Sequence, residues 1–357
     1  MLDENIKLEN MKSLEAYRAG LMIKPTLRNL FLELTLRCNE RCLHCGSSCG
    51  DVKSEELTLT QYQKFLAEIK GDFGTDKKML CITGGEPLLR SDFFDIMDCA
   101  HKLGFKWGMT SNATLITDSV AKDLKKVGMN TISVSIDGLE DTHDAFRRTP
   151  GGWKKAMAGI ESLLRVGTFD AVQATTVVTH QNIGQLDELF KIFNEMDLDS
   201  WRIINIEPIG RAKDHPELLL TPDDYRYMFE YIRNMRIKGE PVTYGCSHYL
   251  GLEYEREVRD WYYICTAGTY IASIMANGDI TACLDIERRP EFIQGNILCD
   301  RFKDVWDNKF QIFRRNLSDL NEKCSACSEK CRCHGDSYHS WDFDKNEPQL
   351  CFKDILF

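Results

Sequence analysis

Residues 30–45 have the sequence LFLELTLRCNERCLHC, in which an alternating apolar run leads directly into three closely spaced cysteines. The alternation over residues 30–36 predicts a β-strand. Cys38, Cys42 and Cys45 then follow with the spacing Cys-x3-Cys-x2-Cys. Closed zinc sites and most iron–sulfur clusters use four protein ligands. Three cysteines therefore predict an iron–sulfur cluster in which one iron is open to a ligand other than the protein.

The composition limits the classes of partner. The chain has 357 residues and a net charge of −10, with 45 Lys and Arg against 55 Asp and Glu. A nucleic-acid groove or an anionic membrane surface needs clustered positive charge, so we expect neither nucleic acid nor a membrane as a partner. The N-terminal residues lack a basic-then-apolar secretion signal. Fifteen cysteines then indicate metal binding in a reducing compartment, which predicts a cytoplasmic metalloprotein.

Strand signals alternate with helix signals through the first two thirds of the chain. Six strands separated by helices predict a parallel sheet whose functional residues gather at the C-terminal ends of the strands. The predicted strands cover residues 30–36, 79–83, 106–110, 131–136, 171–178 and 201–206. The helices predicted between them cover residues 57–69, 92–103, 117–126, 153–166 and 185–194.

A second motif, Gly84-Gly85-Glu86-Pro87, follows the predicted strand at 79–83. Paired glycines let a backbone approach a ligand closely, and the Glu86 carboxylate can accept from an ammonium group. An ordinary strand-to-helix turn, with Pro87 starting the helix, explains the same four residues. The motif alone leaves both interpretations open.

The cysteine trio and the glycine motif together resemble the radical S-adenosylmethionine (SAM) superfamily, with matching segments over residues 30–211. The resemblance implies a partial (β/α)6 TIM-like barrel that holds a [4Fe–4S] cluster on Cys38, Cys42 and Cys45. It implies that the amino and carboxylate groups of SAM chelate the open iron and that residues 84–87 contact the amino group. One electron then cleaves SAM to a 5′-deoxyadenosyl radical that abstracts a substrate hydrogen. A flavodoxin- or ferredoxin-type protein is the implied electron donor.

Further SAM contacts are implied after the fourth and later strands. Ser135 and Asp137 end the predicted strand at 131–136, where the family places polar contacts to SAM. Arg147 is a candidate partner of the SAM carboxylate because a guanidinium binds a carboxylate through two hydrogen bonds. A turn at Asp137-Gly138 and a surface ion pair of Arg147 are the alternatives. The other polar residues at the expected rim are Thr175, Thr176 and Glu207.

The last hundred residues resemble the SPASM extension, a small cysteine-rich α+β domain that carries auxiliary iron–sulfur clusters. A hairpin turning at Asn277-Gly278 is predicted within this segment. The cysteines that carry the resemblance are Cys265, Cys283, Cys324, Cys327, Cys331, Cys333 and Cys351. The chain departs from the family pattern at Ser337, where another cysteine is expected. One auxiliary cluster is therefore implied, and a second is left open.

Two partitions of these cysteines are open. In the first, one auxiliary cluster is held by Cys324, Cys327, Cys333 and Cys351. Cys265 and Cys283 then lack partners unless Cys331, Cys246 or a non-cysteine group joins them. The second partition resembles the shorter twitch extension, in which one cluster is shared by Cys265, Cys283, Cys324 and Cys327. Zinc is an alternative to iron for the first set, because zinc accepts four thiolates.

The predicted division of the chain is an N-terminal extension at 1–27, the barrel at 28–215, a helical bridge at 216–262 and the auxiliary domain at 263–357. The resemblance implies a peptide or protein substrate that is cross-linked, epimerised or oxidised, with Cys246 or Cys49 as a hydrogen donor in an epimerisation. About 29 residues precede the first strand, too few for a winged-helix leader-binding domain. The alternatives are a small-molecule dehydrogenase or isomerase, a non-catalytic electron-transfer protein and a zinc-binding interaction module. The acidic balance disfavours an RNA substrate.

Overall fold

The computed structural model describes residues 3–51 and 53–357. Ten strands form one sheet in the order β10-β9-β8-β1-β2-β3-β4-β5-β6-β7. These strands are β1 (Asn29–Glu33), β2 (Met79–Thr83), β3 (Lys106–Ser111), β4 (Met129–Ser135), β5 (Ala171–Val178), β6 (Ser200–Asn205), β7 (Val242–Tyr244), β8 (Ile271–Ile274), β9 (Asp279–Thr281) and β10 (Gly295–Asn296). Strands β1 to β7 are parallel, and each pairs with the next along the chain.

Helices follow the parallel strands, as in a partial (β/α) barrel. The helices of the N-terminal and barrel segments are α1 (Glu4–Ile23), α2 (Leu59–Phe73), α3 (Phe93–Lys102), α4 (Asp118–Lys126), α5 (Glu140–Arg147), α6 (Gly152–Val166), α7 (Leu186–Glu195), α8 (Pro222–Ile237) and α9 (Gly251–Tyr254). The extension contains α10 (Phe302–Asn308), α11 (Glu322–Ser325), α12 (Lys330–Cys333), α13 (Lys353–Leu356) and a two-stranded sheet of β11 (Trp341–Asp342) and β12 (Glu347–Pro348).

Local sequence explains how these helices begin and which side they bury. In α2, the Thr58 side chain accepts from the backbone of Gln61, while the Gln61 side chain accepts from the backbone N–H of Thr58 at 2.7 Å. This capping box satisfies N–H groups that the first turn leaves free. The buried residues of α2 recur with helical spacing at Tyr62, Phe65, Leu66 and Ile69, so one face of the helix packs into the main hydrophobic core.

The predicted strands and helices of the barrel are confirmed, and their ends differ from the predicted ends by a few residues. Between β1 and α9, helix α5 and strand β7 were not predicted. Helix α5 lies between β4 and α6, and β7 lies within the segment predicted as a helical bridge. Strand β7 continues the parallel sheet beyond β6, with Trp201 opposite Val242. Residues after β7 therefore join those after β1 to β6 at the same edge of the sheet.

The extension continues the sheet at its other side. The predicted hairpin is confirmed: β8 and β9 are antiparallel, and Gly278 in the turn between them has φ +91°. Strand β8 pairs in parallel with β1 on the side opposite β2, with Asn29 opposite Ile271. Strand β1 is therefore central, and the cysteine loop that follows it has the extension as a direct neighbour.

Helix α1 joins the N-terminal residues to the segment after β7 and to the extension. Lys7 in α1 forms a buried ion pair with Glu257 at 2.7 Å. Arg18 donates to the carbonyl oxygens of Tyr263 at 3.0 Å and Arg332 at 3.2 Å. Within residues 3–51 and 53–357, no helix has the length and apolar character that crossing a membrane requires.

Candidate active site

The loop that follows β1 is held against the glycine motif that follows β2. The backbone N–H of Gly85 donates to the Thr35 carbonyl at 2.7 Å. A Cβ at Gly84, where φ is +147°, would lie 2.3 Å from the same carbonyl oxygen, and a Cβ at Gly85 would lie 2.1 Å from the Arg37 carbonyl oxygen. Both positions therefore require glycine, because any side chain would push the two loops apart.

An open cavity of about 770 Å³ lies at the C-terminal ends of β1 to β4. The predicted site residues that line it are Cys38, Cys42, Cys45, Cys49, Gly84, Gly85, Ser135 and Arg147. The structure thus brings the cysteine trio, the paired glycines and two of the predicted polar contacts to one cavity.

The three thiols fit an iron–sulfur cluster as a donor set, because sulfur is the ligand that such clusters use. Burial raises the pKa of Cys38 to about 11 and raises that of Cys42 further. The pKa of Cys45 is lowered to about 6, first by a hydrogen bond from the Cys49 thiol and also by the Cys49 backbone N–H, which donates to the Cys45 sulfur at 3.3 Å. Thiolate binding to iron offsets the cost of burying the charged form of the first two.

Cys49 is positioned beside the trio. It is 2% exposed and packs with Leu36 and Ala276. Because its thiol and its backbone N–H both point at the Cys45 sulfur, the structure gives Cys49 the position of a group that stabilises the Cys45 thiolate. The prediction that Cys49 donates hydrogen to a product radical stays a prediction.

Glu86 does not line the cavity, although the resemblance implies that residues 84–87 contact the SAM amino group. Its carboxylate is fully buried and accepts from Ser111 Oγ at 2.9 Å, from the Asn112 backbone N–H at 3.0 Å and from the Leu88 backbone N–H at 3.2 Å. Burial raises its pKa to about 7, against the lowering effect of these donors. Glu86 therefore joins the loop after β2 to the loop after β3, and it lies behind the cavity wall. Pro87, also buried, starts a short 3₁₀ helix at Pro87–Leu89.

Arg147 forms a buried ion network, which differs from the surface ion pair considered as its alternative role. Its guanidinium lies 2.7 Å from Glu40 Oε2 and 2.7 Å from Asp137 Oδ2, and the three side chains are 6% exposed or less. Burial alone would raise the pKa of Asp137, but Arg147 holds it below its usual range. Asp137 also accepts from the Val177 backbone N–H at 2.8 Å, which fixes it behind the cavity.

Glu40 is the site residue that sequence reasoning missed. It stands between two of the three cysteines, lines the cavity and is 2% exposed. Its Oε1 atom is buried without a hydrogen-bond partner in the part of the chain described. The signal available in the sequence was a charged residue inside the cysteine loop, but its partner Arg147 is 107 residues away.

Two of the remaining rim residues, Thr175 and Thr176, serve the framework. Thr176 Oγ1 donates to the Ile136 carbonyl at 2.6 Å, and Thr175 hydrogen-bonds Ser133 at 2.5 Å. Both threonines are buried. They therefore tie β5 to β4 and its following loop.

The extension contains a second thiol-lined cavity, of about 470 Å³. Its cysteines are Cys324, Cys327, Cys333 and Cys351, the set of the first predicted partition. The Lys353 ammonium and the Glu329 backbone N–H each lie 3.4 Å from the Cys327 sulfur, where they stabilise a thiolate. Four convergent thiols fit an auxiliary cluster as a complete ligand set.

The other cysteines of the extension lie outside this cavity. Cys331 is exposed on α12, which places it away from the four convergent thiols. Cys283 lies 3.8 Å from Asp285 Oδ2, and burial raises its pKa. Ser337, where a cysteine was expected, donates its hydroxyl hydrogen to the Ser247 carbonyl and is fully buried. This position therefore joins the extension to the segment after β7.

Two family models match the chain. The model for the radical SAM superfamily matches residues 32–193, and the model for SPASM, an iron–sulfur cluster-binding domain, matches residues 265–328.

The chain is similar over most of its length to two curated relatives. It is 28% identical over 344 residues to the AdoMet-dependent heme synthase of Methanosarcina barkeri, a match that covers 90% of this chain and 95% of that protein. It is 31% identical over 311 residues to the mycofactocin maturase MftC of Mycolicibacterium smegmatis, covering 85% of this chain and 76% of that protein. Its fold matches that of native anSMEcpe with bound AdoMet and the Cp18Cys peptide, with a TM-score of 0.71 and 20% identity over 93% of this chain and 94% of that one.

Replacing Arg147 by Lys is expected to lower the unfolding temperature of the anaerobically purified protein. One ammonium cannot reproduce the planar guanidinium that faces Glu40 and Asp137 together. A buried carboxylate left without its partner costs on the order of 3 kcal/mol. Arg165→Lys is the matched control, because Arg165 forms an exposed ion pair with Asp118. Thermal unfolding is the measurement, and equal midpoints for the two variants would contradict the role assigned to this network.

Proposed function

The chain belongs to the radical SAM superfamily and carries a SPASM iron–sulfur domain, and from that premise we propose that it oxidatively modifies a peptide or protein substrate. That it is an enzyme using SAM, a [4Fe–4S] cluster and auxiliary iron–sulfur chemistry follows from the family. The observation that supports the oxidative proposal is the presence of two separate thiol-lined cavities, one with three cysteines and one with four.

The three-cysteine cavity supplies the binding site in this proposal. Cys38, Cys42 and Cys45 would hold the cluster and leave one iron for SAM. When bound, the cluster and SAM supply reductive cleavage of the sulfonium to a 5′-deoxyadenosyl radical. Gly84 and Gly85 let the loop after β2 pack directly against the loop after β1, which fixes the wall beside the trio.

Polar residues of the same cavity orient the cofactor in this proposal. Ser135 and Arg147 line the wall and offer donors to the SAM ribose or carboxylate. Asp137 holds the Arg147 guanidinium in place from behind, at 2.7 Å. Glu40, with its unpartnered Oε1, offers an acceptor to the SAM ammonium, the contact that the buried Glu86 carboxylate does not supply. Such orientation is required because a primary radical reacts with any hydrogen that lies close enough.

The second cavity favours oxidation over redox-neutral rearrangement. A complete ligand set for an auxiliary cluster is provided by Cys324, Cys327, Cys333 and Cys351. Such a cluster can accept the electron that a substrate radical loses when it is oxidised. A flavodoxin- or ferredoxin-type donor and a cytoplasmic location complete the proposal, since fifteen cysteines keep their thiols in a reducing compartment. The similarity to a mycofactocin maturase supports the peptide class of substrate.

A small tetrapyrrole is the second candidate substrate. The similarity to the heme synthase covers 95% of that protein's length, against 76% for the maturase. The cavity opens to solvent beside the cysteine trio, which leaves a route of entry for either class of substrate. The substrate experiment below therefore includes both classes.

Replacing Cys42 by Ala is expected to abolish 5′-deoxyadenosine formation, since the cluster would lose one of three ligands. Cys324→Ala is expected to retain SAM cleavage at a reduced level but to lose coupling to the substrate product, since the change lies in the second cavity. Chromatographic quantitation of 5′-deoxyadenosine with reduced enzyme is the measurement. The matched control is Cys299→Ala, at an exposed cysteine. Wild-type cleavage by Cys42→Ala would refute the assignment of the trio.

Deuterium transfer is expected to identify the substrate class. Reduced enzyme and SAM are incubated in parallel with deuterated peptides encoded by short reading frames beside its gene and with a deuterated tetrapyrrole. The proposal predicts deuterium in 5′-deoxyadenosine from a peptide. Transfer from the tetrapyrrole alone would contradict the peptide proposal and favour the second candidate.

A further inference from the structure

A group of metal-ligand side chains lies outside both thiol-lined cavities, where the extension packs on the barrel. Glu207 follows β6, Cys246 and His248 follow β7, and His339 belongs to the extension. One ligand atom from each of Glu207, Cys246 and His248 lies within 4.8 Å of the others. His248 Nε2 is 2.7 Å from Glu207 Oε1 and 3.3 Å from His339 Nε2. Three donor groups therefore converge on one point, and His339 lies at its edge beside His248.

We propose that Glu207, Cys246, His248 and His339 bind a single divalent cation of the zinc class. One thiolate, two imidazoles and one carboxylate are all ligands that zinc accepts, and four ligands complete its tetrahedral shell. Metal–ligand bonds of about 2.0–2.3 Å place neighbouring ligand atoms about 3.3–3.6 Å apart in a tetrahedron. The 3.3 Å between the two imidazole nitrogens matches that spacing. His248 Nε2 and Glu207 Oε1, 2.7 Å apart, would separate when the hydrogen bond between them is replaced by two bonds to the metal.

Unpaired polar groups support a cation at this point. The side chain of Glu207 is 10% exposed, and its Oε2 atom is buried without a partner among the described residues. Glu207 and Asp336 each pair with His248, and within residues 3–51 and 53–357 neither carboxylate pairs with Lys or Arg. Two buried carboxylates on one histidine leave negative charge that a divalent cation would balance.

The surroundings of His248 are those of a metal-binding histidine. Its Nδ1 lies 2.6 Å from Asp336 Oδ2, and Asp336 also accepts from the Tyr249 backbone N–H at 2.8 Å and from Ser340 Oγ at 3.1 Å. A carboxylate on the far ring nitrogen orients the imidazole so that its other nitrogen faces the metal. Asp336 is therefore the orienting carboxylate of the proposed site.

A protonated His248 between two carboxylates is the alternative explanation. It accounts for the contacts of His248 with Glu207 and Asp336. It gives no role to the sulfur of Cys246. It also places His339 Nε2 3.3 Å from His248 Nε2, whose hydrogen is already donated to Glu207. A shared cation explains all four groups at once, so the metal site is the more complete account.

The proposed metal would join the extension to the barrel at the place where this chain departs from the SPASM pattern. His339 lies two residues after Ser337, which stands where a cysteine was expected. Ser337 already bonds the segment after β7 through the Ser247 carbonyl. The metal would hold the same two segments together beside that bond. This inference is independent of the substrate proposed above.

The test is metal analysis of the full-length protein, purified anaerobically with its clusters and dialysed against a chelator and then against zinc at about one equivalent. About one tightly bound zinc per chain is expected beside the iron and sulfide. Zinc-edge X-ray absorption should give one sulfur at about 2.3 Å and three nitrogen or oxygen ligands at about 2.0–2.1 Å. The absorption measurement needs no variant, so it stands even if a substitution disturbs folding.

Variants locate the metal. His339→Asn and Cys246→Ser are each expected to lower bound zinc at least tenfold while iron and sulfide stay at wild-type levels. His215→Asn and Cys299→Ser are the matched controls, because both residues lie outside the proposed site. Four sulfur ligands around the zinc, an absence of tight zinc in the wild type, or loss of iron and sulfide from Cys246→Ser would each overturn the proposal.

Discussion

Strand β1 pairs with a parallel neighbour on each side, and the rest of the structure depends on this double pairing. Its five residues, Asn29–Glu33, are in register with β2 through Asn29 and Met79 and with β8 through Asn29 and Ile271. The ladder to β2 continues where Leu34 donates to the Thr83 carbonyl at 2.9 Å. The cysteine loop therefore leaves a strand that is fixed on both edges.

The same strand links the extension to the active site. The carboxylate of Glu33 is buried and accepts from the Ala276 backbone N–H at 3.2 Å and from Arg288. Ala276 lies in the β8–β9 hairpin and packs against Cys49 and Leu36. The extension therefore contacts the cysteine loop directly.

Local patterns predicted the barrel strands, because alternation is a property of short segments. Ligand spacing likewise pointed to the cysteine trio and to two alternative thiol sets in the extension. Pairing across long separations was not predictable. The contact of β1 with β8 and the ion pair of Arg147 with Glu40 join residues far apart in the chain. Strand β7 has three residues, too few for a period-two pattern to show. The role of Glu86 was not predictable from the glycine motif, because its hydrogen-bond donors Ser111 and Asn112 lie at the end of β3 and in the loop that follows.

Counting iron and sulfide, together with the spectrum of the reduced protein, tests the central claim most directly. The account predicts about eight iron and eight sulfide per anaerobically reconstituted chain, four for each thiol set. It also predicts a change in the electron paramagnetic resonance signal when SAM is added, because SAM occupies the iron that the three cysteines leave open. A protein without inorganic sulfide, or a signal that SAM leaves unchanged, would contradict the account.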